Sequence, residues 1–107
     1  MVWTPRVTVA AIAEREGRFL LVEERADAGI VLNQPAGHLE EGEDLLAAVR
    51  REALEETGWH FEPEGLVGIY LYRKPHPART YLRLSFHCMS MSRNRPLQSE
   101  KSIRWRS

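Results

Sequence analysis

The chain has 107 residues, room for one domain spanning 1–107 with an adequate but modest core. Hydrophobic residues make up 43% and charged residues 28%, an ordinary globular balance that excludes a disordered chain. Its 15 basic and 15 acidic side chains give zero formal net charge, which excludes a general attraction to nucleic acid or anionic membrane.

In chain order, the first residues do not lead into the long apolar segment of a secretion signal, and nowhere do about 20 apolar residues run together. Residues 7–13 are β-branched and small, and 19–22 are apolar again. Joined by Glu-Arg-Glu-Gly, they read as a β-hairpin. Residues 25–29 read as a polar loop and 34–37, with proline and glycine, as an irregular stretch. Residues 44–57 contain neither glycine nor proline and are rich in Ala, Leu, Glu and Arg, which predicts a helix. Glu43 and Asp44 suit its positive end, and Gly58 suits a left-handed stop. Residues 66–72 read as a strand, and 79–88 alternate with period two, the signature of a half-buried strand. Residues 92–99 are polar and turn-like, and 103–105 make a last short strand. The expected class is α+β, a mixed sheet with a helix packed on it. The lone Cys88 reads as core filler in a reducing, cytoplasmic setting.

The helix carries the chemistry. With Leu45 at zero and about 100° per residue, Val49, Ala53 and Leu46 fall at roughly 40°, 80° and 100°, an apolar stripe. Glu56, Glu52 and Glu55 fall near roughly 20°, 340° and 280°, so three carboxylates share one arc and Glu56 points where a core residue would sit. Their repulsion and partial burial need compensation. Arg51, four residues before Glu55, is one partner. A hard divalent cation such as Mg²⁺ is the other, since it accepts carboxylate oxygens together with waters and phosphates. A Glu-rich helix is most often a solvated face, and the residues before it change that.

Gly37, Glu43, Arg51, Glu52, Glu55, Glu56 and Gly58 stand at the spacing of the Nudix box, and the sequence resembles that family. Ala53 is smaller than the apolar residue expected at its place; Trp59 fits. Residues 7–10, 19–24 and 33–40 look most like the family's NudJ-type phosphatases. The resemblance implies a Nudix-type mixed β-sheet sandwich with the Nudix helix on the sheet. It also implies a final helix after Ile103-Arg104-Trp105. The chain given stops at Ser107, so that helix is expected to be missing, through truncation or because another chain supplies the layer.

It further implies Mg²⁺, with Mn²⁺ as a substitute, held by Glu52, Glu55, Glu56 and a carbonyl of Ala36 or Gly37. Arg51 would orient the glutamates and Glu52 would assist the attacking water, with Glu100 as a later-loop alternative. The implied activity is hydrolysis of small organic pyrophosphates, such as nucleoside di- and triphosphates or the thiamine-pyrimidine pyrophosphate. The alternative is a nucleotide- or pyrophosphate-binding module with little catalysis because the chain is truncated; a nucleic-acid end is a third, disfavoured by the neutral charge. The expected partner is a small phosphorylated molecule, with no nucleic acid or membrane, the chain being a monomer or weak homodimer.

Arg25, Asn33 and Gln34 are candidate substrate contacts, equally explained by surface position. Tyr70, Tyr72 and Tyr81 could stack on a ring, although strand aromatics more commonly pack. Trp3 and Trp59 read as packing residues. His38, His60, His76 and His87 lack ligand spacing, and Arg93 and Arg95 form too thin a basic patch for nucleic acid.

Overall fold

The computed structural model describes residues 2–27, 29–93 and 102–106. Strands β1 (Arg6–Arg15) and β2 (Arg18–Ala26) are joined by Glu16 and Gly17, whose φ values of 52° and 75° form the left-handed two-residue turn that hairpins favour. They pair only beside that turn, Glu14 with Phe19 and Arg15 with Arg18. Beyond it they diverge. β1 lies between β4 (Ala36–His38, antiparallel) and β6 (Arg79–Arg93, parallel), and β5 (Trp59–Lys74) pairs with β6. β2 lies between β3 (Gly29–Asn33) and β7 (Ser102–Arg106), both antiparallel. One hydrogen-bonded path thus opens into a mixed wing and an antiparallel wing, as the α+β expectation required.

Helix α1 (Leu45–Thr57) begins where Asp44 accepts a hydrogen bond from the Ala47 amide at 2.8 Å. It ends at Gly58, φ 74°, whose amide donates to the Leu54 carbonyl. Its Ala48, Val49 and Ala53 pack on Val9, Ala11 and Ala13 of β1 and on Phe86 and Cys88 of β6. Alanines on both surfaces let helix and sheet approach closely, which accommodates the small Ala53. Leu20 reaches the same core from the antiparallel wing, and Trp105 of β7 meets Trp59 edge-on at 5.6 Å. Arg15 lies over the Trp59 ring at 4.9 Å.

Several expectations need correction. Leu46 is 42% exposed; it shares a wheel sector with Ala53 but stands two turns earlier, beyond the sheet contact. Trp3 is 68% exposed and lies ahead of β1 rather than in a core. Of the polar loop expected at 25–29, Arg25 and Ala26 end β2 and Gly29 opens β3, which carries the Ile30-Val31-Leu32 run. The stretch at 34–37 contains most of β4, which pairs with β1 despite Pro35 beside it. β5 extends well beyond 66–72, since register shifts at His60/Phe61, Pro63/Gly65 and Leu66/Gly68 absorb the residues that break its alternation. Ser92 lies in β6, and residues 94–99 fall outside the described residues, as does Arg95. Among the described residues no helix is long and apolar enough to cross a membrane.

Cys88 is buried, and burial pushes its thiol up to about 12. A thiol reagent should therefore leave the folded chain unmodified at pH 7.5 over minutes and label it fully in denaturant. Absorbance or mass measurement of the adduct checks this.

Candidate active site

The acidic face of α1 is organised by one guanidinium. Arg51 grips Glu43 with two hydrogen bonds, Nε to Oε2 at 2.9 Å and Nη2 to Oε1 at 2.7 Å. Its Nη1 donates to Glu52 Oε1 at 2.8 Å and Glu55 Oε2 at 3.2 Å, and Nη2 also donates to the His38 carbonyl. Glu40 lies 3.5 Å from Nη1. Glu43 in turn accepts from the Glu40 amide, which closes the turn ahead of the helix. The forked, planar donor set of arginine suits this, since several carboxylates are reached at once. Arg51 is held further above its ordinary pKa, with its bonds to Glu43 the largest cause. One cation faces four carboxylates, so negative charge remains in excess.

Among the helix carboxylates, Glu52 is withdrawn from water, its side chain 13% exposed against 58% for Glu55. Burial raises its proton affinity despite Arg51. Its seat is Gly37: a Cβ there would fall inside the Glu52 carboxylate. Glu56 is partly buried. Among the described residues no three acidic, histidine or cysteine side chains already stand together as a metal would need. Joint ligation by Glu52, Glu55 and Glu56 therefore requires side-chain rotation, for which the exposed Glu55 has room. The donors are all hard oxygens, and the desolvated Glu52 seated on a bare Cα fits a small divalent ion.

Strand register places the carbonyls. Ala11 and Leu39 bond across to Pro35 and Val7, so the bonded pairs of the β1–β4 ladder alternate and Val9–Gly37 is one of them. The carbonyls of Ala36 and His38 then face away from β1, which is how Arg51 reaches His38.

The opposite face of the mixed wing forms a cleft of about 430 Å³, lined among others by Asn33, Gln34, Ala36, Gly37, Tyr72 and Tyr81. Tyr72 and Tyr81 stack on each other at 5.3 Å and 16°, and Tyr70 with Tyr72 lines an adjoining hollow. The structure thus brings Asn33, Gln34, Tyr72 and Tyr81 to one cavity, with Tyr70 in the hollow beside it. Arg25 is not in its lining; it is exposed near the far end of β2, opposite Ile30. Glu100 lies outside the described residues. Sequence reasoning missed Thr8, Lys74 and Arg83, which also line the cleft. Their signal was the polar side of the alternating strands, indistinguishable from a solvated face.

Arg51 holds the Glu43 carboxyl down at about 2. Because that value lies below the ordinary 4.5, the contribution of this pair to stability is complete above pH 4.5 and lost as pH falls through about 2. Carboxyl ¹³C titration should find Glu43 ionised at pH 3.5, with its midpoint moving up in Arg51→Met. Gly37→Ala should cost about 1 kcal/mol of stability, the low end for overpacking, because the flexible Glu52 side chain can yield. It should nevertheless shift the Glu52 carboxyl resonance; an unchanged resonance would contradict the packing described.

Comparison with known proteins gives the same answer from three sides. Residues 3–107 match the model of the NUDIX domain. The chain is 42% identical over 82 residues to phosphatase NudJ of Escherichia coli strain K12, covering 77% of this chain and 53% of that protein. It therefore spans about half the length of the curated relatives it matches. A NUDIX hydrolase from Nitrosomonas europaea superposes with a TM-score of 0.88 at 45% identity, over 97% of this chain and 73% of that one. A MutT NUDIX hydrolase from Burkholderia pseudomallei shares the fold at TM-score 0.81 and 23% identity, over 97% and 84%. With the box residues gathered around Arg51 and the family model matched from residue 3 onward, the chain belongs to the NUDIX domain family.

Proposed function

We propose that the chain hydrolyses phosphoanhydride bonds in small organic pyrophosphates, in particular nucleoside di- and triphosphates or the thiamine-pyrimidine pyrophosphate, with Mg²⁺ or Mn²⁺. The observation that carries this reading is the acidic cluster around Arg51, seated against Gly37 of β4, the strand whose other side borders a cleft large enough for such a molecule. The kinship with phosphatase NudJ supports it.

Glu52, Glu55 and Glu56 would hold the ion, with the outward carbonyl of Ala36 preferred over that of Gly37, which is committed to the β1 ladder. Bound there, the ion supplies positive charge against phosphate oxygens and makes water more acidic. Arg51 holds Glu52 Oε1 and restricts its rotation, leaving Oε2 to take a proton from the attacking water. Burial raises the proton affinity of the Glu52 carboxylate, which favours that role. Catalysis here is mainly positioning and charge stabilisation, as phosphoryl-type transfer requires. Asn33 and Gln34 in the cleft are the proposed substrate contacts, Arg25 being too far along β2. A reducing, cytoplasmic setting accords with the single buried cysteine.

A panel of nucleotides and pyrophosphates assayed with Mg²⁺ should release phosphate or pyrophosphate. Glu55→Gln or Glu56→Gln should lower kcat/KM by about a hundredfold or more. Turnover unaffected by a chelator would reject the metal, and saturable binding without product over hours would indicate a binding module.

A further inference from the structure

Among the described residues two buried side-chain polar atoms have no hydrogen-bond partner, the Thr8 hydroxyl and Arg83 Nε. They are neighbours. Thr8 on β1 and Arg83 on β6 are register partners, so both side chains stand on one face of the sheet, and both line the 430 Å³ cleft. Thr8 is only 7% exposed, on a strand otherwise built here of Val7, Val9, Ala10 and Ala11. Left unpaired, such groups weaken the free protein, and a valine would fill the Thr8 position at no such cost. Both atoms are closed to solvent as the cleft stands, so an acceptor entering it would satisfy both once the two side chains turn toward it.

We propose that Thr8 and Arg83 form the subsite that reads the organic end of the substrate, a planar ring bearing an oxygen or nitrogen acceptor on its edge. This rests on the hydrolase reading above. β1 and β6 lie one and two strands from β4, so Arg83 stands about 10 Å from the strand whose outer edge meets the carboxylates. A diphosphate bridges most of that span, and what arrives at Arg83 is the group it carries. The stacked Tyr72 and Tyr81 make a flat aromatic wall beside that point. Arg83 can only donate, so it selects an acceptor; the Thr8 hydroxyl can donate or accept and tolerates either arrangement beside it.

The test compares kcat/KM for cytidine, uridine and adenosine diphosphates with that for phenyl diphosphate, whose ring has no edge acceptor. In Thr8→Val and Arg83→Met the ratio for the preferred nucleotide should fall about tenfold to a hundredfold, the scale of one or two buried hydrogen bonds left unmade, chiefly through KM. Arg83→Lys, which keeps the charge and loses Nε, should show the same loss, and Thr8→Ser should hold the ratio. Thr8→Val should also keep or raise the Tm, since it removes an orphaned hydroxyl. Equal losses on both substrate types would assign the pair to phosphate, and a lower Tm with an unchanged ratio would make Thr8 structural; either overturns the proposal. If the unaltered chain turns over none of these compounds, the hydrolase reading fails separately. Ligand-observed NMR with the free nucleosides then decides: binding lost in Thr8→Val and Arg83→Lys upholds the subsite, and binding retained overturns it.

Discussion

The site depends on the relation between Arg51 and the carboxylates it gathers. A single guanidinium grips Glu43 with two bonds, reaches Glu52 and Glu55 with a third nitrogen, and ties the cluster to the backbone of β4 at His38. Without that cation the carboxylates would repel one another along the helix and drive their side chains apart. With it, they are held close but not neutralised. The residual negative charge stands next to a desolvated glutamate, which is the electrostatic condition a hard divalent ion relieves.

Gly37 makes the arrangement sterically possible. It is paired to Val9 within the sheet, yet its missing side chain is the space that the Glu52 carboxylate occupies. The same short strand separates two environments. On its helix side lie the acidic residues; on its other side opens the cleft with Asn33, Gln34, Tyr72 and Tyr81. Because strand side chains alternate, neighbouring residues of β1 and β6 serve different ends. Val9 and Phe86 hold the helix, while Thr8 and Arg83 face the cavity. Packing and recognition therefore share strands without competing for positions.

Much of this was legible in the residues. The helix and its glycine stop followed from composition and from Gly58, and the box spacing placed the carboxylates on it; Asp44, read as a charge at the positive end of the helix, proves to be its N-cap. The alternation from residue 79 onward separated Cys88 in the core from His87, which pairs with Glu14 at 2.8 Å. Less legible were β3 and β5. Ile30, Val31 and Leu32 are all exposed, so no alternation marks them, and the bulges of β5 interrupt its period. The role of Glu43 was visible as a motif position and as a favourable charge near a helix start, but the two hydrogen bonds it accepts from Arg51 were not.

By itself, the sequence determined which chemistry is available: a helix bearing closely spaced carboxylates, an arginine within one turn of Glu55, and a glycine ahead of them at the family spacing. These are local properties, set by helical period, side-chain type and turn preference. Tertiary structure alone decided which carboxylate is desolvated, that Glu52 fits against Gly37, and that Thr8, Arg83, Tyr72 and Gln34 share one cavity. The reason is physical. Burial and convergence depend on how β1 is inserted between β4 and β6, pairings between residues as far apart in the chain as Thr8 and Arg83, and no local periodicity encodes them.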